Sequence, residues 1–186
     1  MDAKEFNCQY EDLLVGPLRN IGFRINRKSL SYTKDQTVLA LIRFQMKFSG
    51  LTQGTHFLLC VRHAFLRTLE KEPATKFLSA ASEYPFKLLV SKLSQNIRET
   101  WHYQPINLGA RDYDTVLFGE LIDASAILSE MREKITNFDL VWMEYLTPTK
   151  ALKQLRKYGE DAYCEKIWIE DYEAFLSERV LKPQAW

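Results

Sequence analysis

"TVLALIRFQMKF" (residues 37–48) is the stretch on which the fold turns. Val38, Ala40, Ile42, Phe44, Met46 and Phe48 fall on one side of an extended chain, and Leu39, Leu41, Arg43, Gln45 and Lys47 fall on the other. A period of two is what a β-strand with one buried face imposes, because successive side chains alternate across the pleat. The first set is expected to face the core and the second to form the opposite face. The loop "SGLTQGT" then carries two glycines into residues 55–64, which read as an antiparallel partner. Upstream, "FRINRKSLSY" (23–32) reads as another strand, closed by a turn at Lys34-Asp35. Shorter strand signals occur at 86–93, 98–104 and 115–119, and residues 65–84 leave room for a short helix.

The flanks switch to a helical period. Phe6, Tyr10, Leu13, Leu14 and Leu18 recur near 3.6 residues, so 2–21 is expected to be a helix stopped at Gly22. Gly16-Pro17 interrupts it, and an internal proline removes a backbone donor and clashes with the preceding turn, so a kink or break is expected there. Ala124, Ile127, Leu128, Met131, Ile135 and Phe138 form a second apolar stripe, with Asp123 as N-cap and an end near Leu146. "TPTKALKQLRKYG" (147–159) reads as a short helix, with Thr147 as cap, Pro148 in the first position and Gly159 as stop. A last helix near 162–177 turns Cys164, Ile167, Trp168, Phe175 and Leu176 inward. The order predicts one α+β domain over residues 1–186. An antiparallel sheet of about five to six strands would carry the N-terminal helix and the C-terminal helices on one face.

Bulk properties exclude more than they assign. Hydrophobic residues at 46% and charged residues at 26% are globular values, and a net charge of +1 favours neither nucleic acid nor a membrane surface. No run of about 18 apolar residues suggests a spanning helix, and "MDAKEFNCQYEDLL" lacks the pattern of a signal peptide. Cys8, Cys60 and Cys164 are odd in number and far apart, which suits reduced thiols in a cytoplasm.

Two histidines and a cysteine crowd into "HFLLCVRHAF" (56–65). On a strand, residues 56 and 60 lie about 13 Å apart and residue 63 points to the other face. Zinc needs its ligands within about 2.3 Å, so these three do not suit one ion. No nucleophile elbow, phosphate-cradling loop or dinucleotide fingerprint occurs, so neither catalytic nor cofactor-binding residues are assigned. Charge is distributed unevenly, however. From Arg19 to Lys47 there are seven bases and one acid, and from Glu160 to Glu178 there are seven acids and one base. Two binding surfaces follow. Arg43, Gln45 and Arg62 would form a cationic sheet face for an anionic, small-molecule or nucleotide ligand. Glu165, Glu170, Asp171 and Glu173, left in water around a Trp168 anchor, would form an acidic helix for a basic protein.

The segments "LRNIGFRINRKSLSY", "VLALIRFQMKFSG" and "HFLLCVRHAF" resemble an uncharacterised bacterial family of small α+β domains. Its members open with a helix ending in a Gly-Phe-basic run, followed by a strand rich in Arg and Gln and a Phe-x-Leu/Val strand. "TWHY", "DASAILSEMREKI" and "MEYLTPTKALKQLRKYG" look like its aromatic strand and two C-terminal helices, so the likeness covers roughly 10–158. The resemblance implies no catalytic residues. Related domains of this size include cytosolic immunity proteins, which neutralise a toxin by binding it. The expectation is a cytoplasmic, non-catalytic binding protein without cofactor or metal. Its partner would be a protein, such as a basic toxin, rather than a membrane or nucleic acid.

Overall fold

The computed structural model describes residues 3–26, 29–48, 52–74, 78–90, 100–102, 124–137, 145, 147–161 and 165–181. The helices are α1 (Ala3–Tyr10), α2 (Gly16–Asn20), α3 (Ala124–Thr136), α4 (Pro148–Leu155) and α5 (Lys166–Leu181). The strands are β1 (Arg24–Asn26), β2 (Ser29–Lys34), β3 (Thr37–Phe48), β4 (Thr52–His63), β5 (Phe86–Leu89) and β6 (Thr100–His102). All described pairings are antiparallel in one sheet of order β1-β2-β3-β4-β5, and β6 also pairs with β4. The architecture is α+β, as the alternation of periods predicts. The strand signal at 115–119, the Asp123 cap, the continuation to Leu146 and Cys164 lie outside the described residues.

Gly16-Pro17 does not break the first helix. Glu11–Val15 widens into a π-helical turn that joins α1 to α2, with the Gly16 N–H bonding the carbonyl of Glu11. A Cβ at Gly16 would sit 3.3 Å from that oxygen, so glycine suits the wider turn. The extra residue absorbs the bond that Pro17 cannot donate. At the other end, Phe23 N–H bonds Leu18 O at 3.0 Å and Gly22 N–H bonds Arg19 O at 3.0 Å, with Gly22 at φ +105. This paired closure needs a left-handed residue, which explains Gly22 as the stop.

The stretch read as one strand at 23–32 is a hairpin. Arg24 to Asn26 pairs back on Ser29 to Ser31. The following turn is tight, with Lys34 opposite Thr37 and Asp35 at φ +53. Asp and Asn tolerate this conformation better than most residues.

The core inverts the sidedness expected of β3. Leu39 and Leu41, with Phe57, Leu59 and Val61 of β4, pack against Phe6, Leu14 and Leu18, then against Leu128, Met131, Leu155 and Trp168 from the later helices. Thus the helices do cover one face, but it is the face carrying Leu39, Leu41 and Arg43. The other face is closed as well: Val38, Ala40, Ile42 and Cys60 form a smaller cluster with Tyr84, flanked by Leu78 and Ala81. Residues 38–42 are apolar on both sides, so alternation alone could not rank the faces.

Candidate functional site

Register decides what the predicted site residues can do together. Arg43 lies opposite Phe57, and Arg62 lies opposite Val38. Counting along each strand places Arg43 on the helix-covered face and Arg62 on the other. The cationic sheet face expected from Arg43, Gln45 and Arg62 is therefore not assembled. Gln45 pairs with Thr55 through the backbone.

Each arginine is used internally. Arg43 is buried under α1, where its Nε donates to Thr55 Oγ1 at 3.0 Å and its Nη2 to Asn7 Oδ1 at 2.8 Å. The guanidinium lies 5.3 Å from the Phe6 ring centroid and 4.7 Å from that of Tyr10, a distance suited to cation–π attraction. Thr55 Oγ1 in turn donates to Phe44 O at 2.9 Å. Arg62 is 2% exposed and donates to backbone carbonyls, those of Leu66, Arg67, His63 and, at 3.1 Å, Glu83. Burial pulls its guanidinium below the ordinary arginine range, with Tyr84, Glu83, Tyr172 and Asp171 opposing that shift. It acts as a cation that gathers the chain after β4.

His56 and Cys60 share one face of β4, and His63 emerges from the other. His56 stacks on Phe44 with ring centroids 4.8 Å apart. His63 Nδ1 lies 2.7 Å from the Tyr172 hydroxyl, between the rings of Phe65 and Tyr172. Among the described residues no group of three His, Cys, Asp or Glu side chains converges in a metal-holding arrangement. Burial pushes the Cys60 thiol up to about 12, with the Lys87 charge working against the shift. Thiolate is the reactive form, so burial leaves Cys60 far less reactive than an exposed thiol. In a Cys164→Ser variant, Cys8, which is exposed, should label with iodoacetamide within minutes, whereas Cys60 should label only on unfolding. Equal rates for the two thiols would contradict this burial.

The acidic helix is also partly spent inside the chain. Asp171 is 8% exposed at its side chain and accepts from Arg67 twice, from Nε at 2.6 Å and from the backbone N–H at 2.7 Å. Trp168 is 1% exposed, and its indole N–H donates to Arg67 O at 3.1 Å. Neither is left in water: Trp168 is a core residue, as its place on the inward stripe predicts, rather than a surface anchor, and Asp171 is a latch for the 64–73 loop. Of the four acids expected to form this surface, two are exposed. Glu170 is 71% exposed with Arg67 at 3.4 Å, and Glu173 pairs with Arg156 at 2.7 Å. Glu165 is half-buried, just before the first turn of α5. Burial also raises the Tyr172 and Tyr84 hydroxyls well above the ordinary tyrosine range; the nearby Arg62 charge works against both shifts.

Sequence reasoning missed Arg67, the hub joining Trp168 and Asp171 to the loop, and Glu83, whose Oε2 accepts from Leu69 N–H at 2.9 Å. Arg67 and Asp171 lie 104 positions apart, and no periodicity links them. No family model, curated protein or solved structure matches this chain.

Proposed function

We propose that this protein is a non-catalytic binding module that docks a basic protein partner through the outward face of α5, in the manner of an immunity protein against a bacterial toxin. The observation that carries the reading is the division of labour along this helix. Trp168 and Tyr172 turn inward, while Glu170, Glu173 and Glu178 stand exposed along the outer side. The side chains best suited to chemistry on the described sheet, Cys60, Arg62 and His63, are buried, and the guanidinium and the imidazole among them are tied to partners within the chain. That arrangement supports a role in surface recognition. The resemblance read in residues 10–158 to small bacterial α+β domains is part of this proposal. A cytoplasmic location is part of the proposal and fits Cys8 and Cys60, both free thiols. Among the described residues, no helix is long and apolar enough to cross a membrane.

Exposed charges of one sign chiefly accelerate encounter with an oppositely charged partner, and salt screens that effect. The test is co-production with a growth-inhibiting protein encoded beside the gene for this chain. Growth should be rescued, and the purified pair should associate. Glu170→Lys with Glu178→Lys should slow association at least about tenfold at low ionic strength, with the gap closing near 1 M salt. Stability should shift by no more than about 0.5 kcal/mol. An unchanged association rate would remove α5 as the docking face.

A further inference from the structure

The last two described helices present opposite charge on adjoining outward faces. On α4, Ala151, Leu152 and Leu155 are buried, which turns Lys150 and Lys153 outward, and Arg156 and Lys157 follow, also exposed. Residues 147–159 hold these four cations and no acid. On α5, Glu170, Glu173 and Glu178 are exposed, as is one base, Lys166. The two rows meet at the Arg156–Glu173 ion pair, 2.7 Å long and exposed at both partners. Two residues after Arg156 stands Tyr158, 49% exposed, a side chain of the type that anchors protein interfaces.

We infer that this double row is a self-association surface whose occupant is a second copy of the chain. A basic row beside an acidic row is complementary to itself after a half-turn. A two-fold axis lying along the seam sets each copy's α4 on its partner's α5, so both charge rows find their opposite twice. This is the isologous arrangement, which closes at a dimer and leaves no open end for fibre growth. Within one copy the rows lie side by side, and the Arg156–Glu173 pair joins them. Face to face, Lys150, Lys153 and Lys157 would meet the acids of α5, with Tyr158 supplying apolar contact. Exposed ion pairs each contribute little, so the dimer is weak, concentration-dependent and salt-sensitive. It therefore leaves the α5 acids free at the low concentrations at which a tight partner would bind, and it stands independently of the partner reading.

Sedimentation equilibrium on the full chain tests this without any partner. At about 10 mM salt, where the Debye length is about 30 Å, the mean mass at high protein concentration should approach twice that of the monomer. At about 1 M salt, where it is about 3 Å, the mass should return to that of the monomer. Lys150→Glu/Lys153→Glu/Lys157→Glu and Glu170→Lys/Glu178→Lys should each be monomeric alone. An equimolar mixture of the two should recover the dimer, because every reversed row then faces its opposite. A wild-type chain that stays monomeric at low salt overturns the inference, as does a mixture no heavier than its components. A monomeric wild type that instead binds a single-stranded oligonucleotide, with affinity lost in the lysine variant, overturns it too and reassigns α4 to a phosphate backbone. Should either variant fail to fold by circular dichroism, the wild-type salt series decides alone.

Discussion

Arg62→Met should destabilise the protein by about 3–5 kcal/mol, among the largest single effects in the molecule. Two effects oppose each other at this site. Removing a buried cation relieves its desolvation, which favours the variant and is the cause of the lowered guanidinium pKa. Against that, the carbonyls of Leu66, Arg67 and Glu83 converge on this one group. Methionine offers them nothing, and each buried acceptor left unpaired costs about 1–3 kcal/mol. The carbonyls come from the 63–67 segment and from the 3-10 turn Ala81–Glu83, which packs on the far sheet face. The second effect should win because more than one acceptor is stranded. Arg62→Lys retains the charge but not the planar fork, so it should fall between wild type and Arg62→Met. Urea unfolding measures both variants. An Arg62→Met protein within about 1 kcal/mol of wild type would mean that water replaces the guanidinium and that Arg62 is no keystone.

Trp168→Ala should cost a similar amount, about 3–5 kcal/mol, through loss of a large buried ring. Trp168→Phe keeps most of the ring and loses only the indole bond to Arg67 O, so it should cost about 1–2 kcal/mol. Hydrogen exchange adds a local signature. In the alanine variant the amides of α5 and of the 64–73 loop should lose protection together, because Arg67 ties the two through Asp171. If Trp168→Ala instead left stability intact and only weakened partner binding, Trp168 would be the surface anchor that its place among the acids suggests, and the core description would fail.

The extent to which the site was legible follows from the range of the signals. Secondary structure was readable wherever a local rule acted alone. Thr147 accepts from Lys150 N–H at the start of α4, and Gly22 takes the positive φ expected of a helix stop, whereas α4 ends at Leu155 and Gly159 marks a kink in the 3-10 segment after it. The strand character of residues 56–63 followed from alternation, and with it the separation of His56 and Cys60 from His63. The cationic face came apart, and the acidic one lost Trp168 and Asp171 to the interior, for a different reason. Arg43 and Arg62 look alike as exposed strand cations, yet whether two strand residues share a face depends on register, and a shift by one position reverses the answer. The apolar stripe turns Trp168 inward, but Asp171 looks like part of an acidic surface helix until Arg67 is placed beside it.

The sequence by itself determined the α+β class, the helical caps, the long central hairpin and the uneven distribution of charge, because each depends on neighbours within a few residues. Only the tertiary structure decided which sheet face the helices cover, that both faces of β3 are buried over residues 38–42, and that the strongest cations are internal braces. Burial and pairing between residues up to about a hundred positions apart are set by how the layers pack, and apolar residues on both sides of a strand carry no local mark of which layer will reach them first.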